Sequence, residues 1–336
     1  MQAHQNHPNK KKDIAVSRRN THDNRINSTI QGDHLMTAGS ETASLIFVYG
    51  TLMKNHRNHH YLTEAVLIDK CIIENYALYE LGSYPGIVPA ANSMVLGELY
   101  QVEPGTLEIL DKLENEGSEY IRRRVTAVCA TCTIDGVFTY VYDYPVQKEN
   151  LLPFKSQPWR NGTQQSYVWY AAYGSNLLYD RLMTYINGGI CRYNRRFHTG
   201  TTVKNPPIAS HPVTIPYLLY FGNNSQTWGG GGVCFLDIAT PGRTLGRMYL
   251  ITENQFKEIH HQEGLHKNWY PDAVDLGTYL DVPVRTITNS VKRSIQKPDQ
   301  SYLDVFMQGL RETYPEMTEI ELGSYVASIL HEPRSI

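Results

Sequence analysis

The sequence predicts an α+β protein made of two consecutive units on one plan, followed by a helical segment. Three observations predict it. An apolar strand running into a glycine turn occurs twice, as Ser44–Thr51 (SLIFVYGT) and Tyr167–Ser175 (YVWYAAYGS). Gly97-Glu98-Leu99-Tyr100 returns as Gly246-Arg247-Met248-Tyr249. A glutamate stands 17 residues past each of those glycines, at Glu114 and at Glu263. Tyr76–Tyr79 (YALY) and Tyr217–Tyr220 (YLLY) add a further anchor in the same order, and Tyr120 and Tyr270 follow the two glutamates by six and seven residues. Anchors repeated in order imply a repeated architecture. The length differences fall between anchors, where loops absorb them.

Residues 1–43 are rich in Asn, His, Lys, Arg and Ser and lack the apolar core of a secretory signal, so they read as a disordered tail. Met36 is a candidate start of the folded protein. The first unit spans 44–148, with strands expected at Leu45–Tyr49, Cys71–Glu80, Val95–Val102, Arg123–Cys129 and Gly136–Tyr144, and a short helix at Asn58–Glu64. Pro104–Glu114 has helical spacing, Leu107, Leu110 and Leu113 sharing a face, and its proline suits a first helical turn. The prolines and the Asn-Gly pair of Asn150–Gln165 mark a linker over 149–166. The second unit spans 167–290 and carries a long insert, Asn187–Pro216, and a glycine run, Gly229–Gly232. Residues 291–336 form two helices, Tyr302–Thr313 and Glu316–Leu330, broken at Pro315, with stripes Leu303, Phe306, Leu310 and Ile320, Tyr325, Ile329.

The 336 residues suffice for two domains, and 41% hydrophobic content fills two modest cores. A net charge of −2 gives no sign of a nucleic-acid partner, and no apolar run is long enough to span a membrane. Five scattered cysteines with no secretory signal point to a reducing cytoplasm. Cys129 and Cys132 have CxxC spacing without a second pair and read as ordinary thiols. His56, His59 and His60 have no carboxylate or thiolate nearby to complete a metal site and read as loop contacts.

A strand that stops at glycine and turns sharply exposes backbone N–H groups able to hold an anion. Tyr49-Gly50-Thr51-Leu52 fits that pattern, with a plain strand-to-helix turn as the alternative. Leu107, Leu110 and Glu114 follow i, i+3, i+7, as do Phe256, Ile259 and Glu263. A glutamate on a buried helical stripe is desolvated, and its pKa rises toward the range useful for proton transfer. Its alternative is a solvated helix-end glutamate, or one paired with Arg122 or Arg123; recurrence in register favours function. The glycine run is either a close approach to a ligand or a wide loop.

On these residues the chain resembles the gamma-glutamylcyclotransferase superfamily, which includes the gamma-glutamylamine cyclotransferases and AIG2-like proteins. The resemblance rests on Val48–Leu52 (VYGTL), Asn58-His59, Tyr84-Pro85-Gly86, Gly97–Tyr100 (GELY) and Leu110–Glu114 (LDKLE) followed by Tyr120 and Arg122, and covers nearly all of the first unit. The second unit is similar to the YGSN branch through Tyr173-Gly174-Ser175-Asn176, with Glu263 in the glutamate slot and His260-His261-Gln262 in place of Asp111-Lys112-Leu113. As a whole the chain is similar to bacterial members with two units.

The resemblance implies a small mixed β-barrel with flanking helices in each unit. It also implies cleavage of a γ-glutamyl amide by attack of its own α-amine, releasing 5-oxoproline and a free amine. Glu114, and Glu263 likewise, would be the acid/base, with substrate contacts at Tyr49, Gly50, Thr51, Leu52 and Tyr120, and at Tyr173, Gly174, Ser175 and Asn176; Tyr142 is a further donor. No cofactor, metal, nucleotide or covalent intermediate is required, and the expected partner is a small γ-glutamyl molecule. The rival reading is a binding or regulatory module on the same fold, without turnover.

Overall fold

The computed structural model describes residues 43–160, 164–265 and 269–330. They divide into two compact units, one of residues up to 129 and 133–160, the other of 130–132 and all described residues from 164 onward. The tail expected over 1–43 and the candidate start at Met36 lie outside the described residues, apart from Ala43.

The first unit contains β1 (Ser44–Val48), β2 (Val66–Glu80), β3 (Pro85–Val102), α1 (Pro104–Leu113), β4 (Tyr120–Val128), β5 (Thr133–Tyr142) and β6 (Leu151–Leu152). Strands run in the order β3-β1-β5-β4-β2, and β2 pairs back onto β3, so five strands close into a barrel; β6 adds to β2. β1 lies between an antiparallel neighbour, β3, and a parallel one, β5. Its Ile46-Phe47-Val48 run is buried in the core cluster on both faces, which is why it is apolar without alternation. The expected strand at Val95–Val102 is the second half of a much longer one. β2 and β3 form a long hairpin that bends through register shifts at Leu67/Asp69 and Glu74/Tyr76, and such bulges let a strand curve around a barrel. The expected helix at Asn58–Glu64 is a single 3-10 turn, His59–Leu62.

The linker expectation is corrected over its described part. Leu151–Leu152 pairs with Leu78 and Tyr79. The Gln157 amide is buried and accepts from Leu96 N–H at 2.8 Å. Trp159 belongs to the barrel core, and its indole N–H donates to Glu80 at 2.7 Å. Prolines and polar residues at the surface read as a linker, but a buried Trp binds the segment to the first unit.

The second unit contains β7 (Tyr167–Ala172), α2 (Tyr179–Asn187), β8 (Gly189–Ile190), β9 (Phe197–His198), β10 (Ser210–Ser225), β11 (Gly231–Thr252), α3 (Glu253–Glu263), β12 (Asp272–Tyr279), β13 (Val282–Thr288), α4 (Gln300–Thr313) and α5 (Glu319–Leu330). Its sheet runs β10-β11-β7-β13-β12. β7, again flanked by an antiparallel and a parallel neighbour, is buried along its whole length. The barrel expectation is corrected here: among the described residues no ladder joins β10 to β12. Instead His211 of β10 and Tyr279 of β12 pack edge to face at 5.5 Å, with Trp169 5.6 Å from each. Rings of that size hold strands apart and fill the gap.

α3 begins with a capping box between Thr252 and Gln255, whereas α1 relies on its first-turn proline. The last two helices belong to the second unit rather than to a separate segment. Phe306 and Leu310 are fully buried, but Ile320 is 81% exposed, and the buried stripe of α5 is Leu322 and Val326. The glycine run serves this docking. A Cβ at Gly231 would lie 2.2 Å from the Asp299 nitrogen, and one at Gly232 would lie 2.1 Å from the Gln296 carbonyl. No helix among the described residues is long and apolar enough to cross a membrane.

Candidate active site

Each unit has a cavity at the end of its central strand. In the first unit the chain leaves β1 at Val48 and turns at Gly50. A Cβ there would sit 2.5 Å from the Pro85 ring, so only glycine lets the turn close against β3. The turn is held by Met53 N–H to Gly50 C=O at 3.0 Å and by Asn58, which donates from its backbone to Thr51 C=O and from its side chain to Thr51 Oγ1. The N–H groups of Gly50, Thr51 and Leu52 donate to no acceptor among the described residues. They border a cavity of about 240 Å³ that also takes in Arg57, Tyr84, Glu114, Glu119 and Tyr120.

Gly97 explains why the glutamate arrives there. A Cβ at Gly97 would lie 2.3 Å from Val48 C=O, so glycine lets β3 pass close to the strand end. From that crossing the chain finishes β3, forms α1, and ends the helix at Glu114, whose N–H caps Leu110 C=O. Glu114 is largely shielded from water. Burial, then the neighbouring Glu119 carboxylate, push its pKa up to about 7, and Arg57 opposes them. Among the described residues no donor bonds its carboxyl group. The alternative pairing with Arg122 does not occur, because Arg122 binds Asp111 at 2.7 Å and Tyr140 donates to the other Asp111 oxygen.

Tyr49 and Tyr120 both line the cavity. Tyr49 donates to Tyr140 C=O at 2.7 Å and Tyr120 to Pro85 C=O at 2.8 Å, so both hydroxyl protons are committed to the barrel wall. Tyr142 lies outside the cavity lining, and its ring packs on Tyr120 at 5.4 Å. Tyr84, not singled out from the sequence as a site residue, lines the cavity and donates to Glu119 at 2.6 Å. The three histidines make loop contacts: His56 stacks on Trp159, His59 binds Leu52 C=O, and His60 binds Arg57 C=O. No cluster able to hold a metal occurs among the described residues. Cys129 is buried and Cys132 exposed.

The second unit has matching contacts at several of these positions. Glu98 pairs with Val48 and Arg247 with Ala172, so each anchor glycine precedes the partner of the residue before the Tyr-Gly pair. A Cβ at Gly246 would lie 2.9 Å from Ala172 C=O. Tyr173 donates to Ile287 C=O at 2.7 Å, Tyr270 to Cys234 C=O at 2.9 Å, and Leu177 N–H to Gly174 C=O at 3.0 Å. The cavity, about 280 Å³, has Tyr173, Gly174, Ser175, Asn176 and Glu263 among its lining residues. Glu263 differs from Glu114 in its partners: Asn176 Nδ2 donates to its Oε1 at 2.6 Å. Gln262, in the slot of Leu113, binds Tyr185 C=O at 3.0 Å.

Arg57 and Arg181 escaped the sequence reading. Each lies eight residues past the tyrosine of its unit and lines that unit's cavity. That spacing was a usable signal. Their local structures hide it, since Arg57 sits in a loop and Arg181 on α2. Glu119 and Arg196 were also missed, and neither has a counterpart in the repeat.

Residues 46–161 match the family described as gamma-glutamyl cyclotransferase, AIG2-like. The gamma-glutamylcyclotransferase family protein ytfP of Citrobacter rodentium is 40% identical over 119 residues, which are 97% of that protein and 35% of this chain. The chain belongs to the gamma-glutamylcyclotransferase family. The gamma-L-glutamyl-butirosin B gamma-glutamyl cyclotransferase of Niallia circulans is 40% identical over 70 residues, 44% of that protein and 20% of this chain. The crystal structure of YkqA from Bacillus subtilis aligns over 88% of this chain and 100% of its own, at 20% identity and a TM-score of 0.34. The family match ends at residue 161 and therefore takes in the stretch through Trp159 that packs into the first barrel.

Proposed function

We propose that the first cavity cleaves a γ-glutamyl amide through attack of the substrate's α-amine on its γ-carbonyl, with Glu114 as the single acid and base. The observation that carries this is the Glu114 carboxyl group, pushed up to about 7 by burial and by Glu119, in one cavity with the Gly50, Thr51 and Leu52 turn, whose N–H groups have no acceptor among the described residues. The α-amine is an ammonium ion at neutral pH. Glu114 removes one proton, the freed nitrogen bonds to the γ-carbon, and the carbonyl electrons move onto oxygen. As that oxygen re-forms the carbonyl, the amide C–N bond breaks and Glu114 returns its proton to the leaving nitrogen; the ring nitrogen sheds its second proton, which ends on the departing amine, so the ring is left as a neutral lactam and the amine as an ammonium ion. The products are 5-oxoproline and a free amine. A pKa near 7 suits a group that must take and return a proton at neutral pH. Ring closure brings nucleophile and carbonyl together, so positioning supplies much of the rate. The turn N–H groups suit the developing oxyanion or the substrate carboxylate. A relative named for acting on γ-L-glutamyl-butirosin B supports the γ-glutamyl group as the recognised part.

We further take the two units as tandem copies of one cyclotransferase plan, supported by the matched register and by the paired Tyr49/Tyr173 and Tyr120/Tyr270 hydrogen bonds. The test is release of 5-oxoproline from a panel of γ-glutamyl dipeptides, γ-glutamyl-lysine and glutathione by the full chain, Glu114→Gln and Glu263→Gln. The expected result is product from the wild type and a loss of at least about 100-fold in Glu114→Gln, within the range for a general acid/base. A folded Glu114→Gln protein turning over at the wild-type rate would sink the assignment. The larger loss is expected at Glu114, because Glu263 is already held by Asn176.

A further inference from the structure

Beyond the reaction assigned to the first unit, we propose that the second cavity binds a small monoanionic carboxylate that also carries an N–H group and an aromatic or apolar tail, with Arg181 as its anchor. Arg181 is 2% exposed yet lines the cavity. Its Nη2 donates to Tyr185 at 2.8 Å, whereas its Nε and Nη1 are buried and have no hydrogen-bond partner among the described residues. A buried guanidinium with unmatched donors is costly until an acceptor meets it, and a planar carboxylate is the acceptor it fits best. The charged side chains lining the cavity are Arg181, Arg196 and Glu263, a surplus of one positive charge. Glu263 acts on Arg181 through its charge, but among the described residues the two share no hydrogen bond or close ion pair, and Glu263 Oε1 accepts from Asn176 at 2.6 Å.

The rest of the site completes the ligand's description. Asn176 Oδ1 is buried without a partner among the described residues, so it offers an acceptor for a ligand N–H. Trp228, Trp269 and Tyr302 supply an aromatic wall, a surface for a ring or alkyl tail. Its wall of Trp228, Trp269 and Tyr302 has no counterpart in the first cavity, where Arg57 stands at the position of Arg181. The site holds its ligand whether or not Glu263 has any part in turnover.

The test uses N-acetyl-L-phenylalanine and its primary amide, which differ only in the carboxylate charge, titrated into the full chain by calorimetry. The acid has neither a free α-amine nor a γ-glutamyl amide. Its failure to bind would therefore leave the 5-oxoproline assay untouched. The expected result is saturable binding of the acid with a Kd about tenfold or more below that of the amide, the size of one charge-assisted hydrogen bond. That ratio should collapse to about twofold or less in Arg181→Met and persist in Glu114→Gln, which alters the other cavity. If Arg181→Met does not fold, Arg181→Lys replaces it and should still lower the ratio, because an ammonium cannot reproduce the fork of the guanidinium. Absence of saturable binding by the acid, equal binding of acid and amide, or a preference that survives substitution of Arg181 would each overturn the proposal.

Discussion

A carboxylic acid held near neutrality is the central chemical fact of the first unit, and it generates two opposite effects of one residue. In the proposed role Glu114 takes a proton and so acts ionised, and kcat/KM on a γ-glutamyl substrate is then expected to fall below an apparent pKa of about 7, by roughly tenfold per pH unit. A profile flat down to pH 5 would show that another group is the base. For stability the sign is reversed. The folded pKa lies above the ordinary glutamate value of 4.5, so the native state binds more protons than the unfolded one between those values. The stability contributed by this group is fully present below pH 4.5 and declines as pH rises toward 7. Glu114→Gln removes that penalty, so thermal unfolding at pH 8 should show a variant more stable by about 1–3 kcal/mol, with the gain fading below pH 5. Equal stability at pH 8 would mean that the carboxyl is better solvated than its position implies. Helical spacing alone put Glu114 on the buried stripe. It did not show Glu119, which arrives from the start of β4 and raises that pKa, nor Arg57, whose link to the cavity depends on how the loop folds back.

Among the elements, the glycines of β3 and β11 set the geometry by which a strand end, a turn and a helix end meet. A methyl group at Gly97 would meet Val48 C=O at 2.3 Å, and one at Gly246 would meet Ala172 C=O at 2.9 Å. Gly97→Ala should therefore destabilise its unit by about 1–3 kcal/mol and lower product release, and Gly246→Ala should cost less, since less displacement relieves it. Denaturant unfolding ranks them; an equal or reversed order would mean that the backbone yields more easily at β1. The tyrosine that follows each central strand belongs to the same device. Tyr49→Phe and Tyr173→Phe each strip a buried carbonyl, Tyr140 C=O or Ile287 C=O, of its donor, with an expected cost of about 1–3 kcal/mol apiece. The central strands were legible because full burial leaves no polar alternation. The length of the β2–β3 hairpin was not, because its bulges break the two-residue period.

At the scale of the molecule, the first unit ends later than its composition suggests. Trp159 is 2% exposed in the barrel core and hydrogen-bonds Glu80. Trp159→Ala should cost about 3–5 kcal/mol. A fragment of residues 43–162 should melt cooperatively while one of 43–148 should not; cooperative melting of the shorter fragment would restore the linker reading. The second unit likewise extends further, since α4 and α5 pack into it and Tyr302 reaches its cavity. Prolines, asparagines and a glycine run look the same in a loop and in a chain segment docked across a surface. Only the partner on the other side tells them apart.

The sequence by itself determined the central strands, the two glycine turns that follow them and the helix ahead of each glutamate, because each follows from local spacing or from an unbroken apolar run. The tertiary structure decided the rest. It closed the first sheet by pairing β2 with both β4 and β3 and left aromatic rings where β10 and β12 approach. It left the Glu114 carboxyl without a donor beside Glu119, and it tied Glu263 to Asn176 near a buried Arg181. The pKa and partners of a carboxyl group depend on charges and donors within a few ångströms. Those neighbours come from segments far apart in the chain, so spacing can place a glutamate but cannot say what surrounds it.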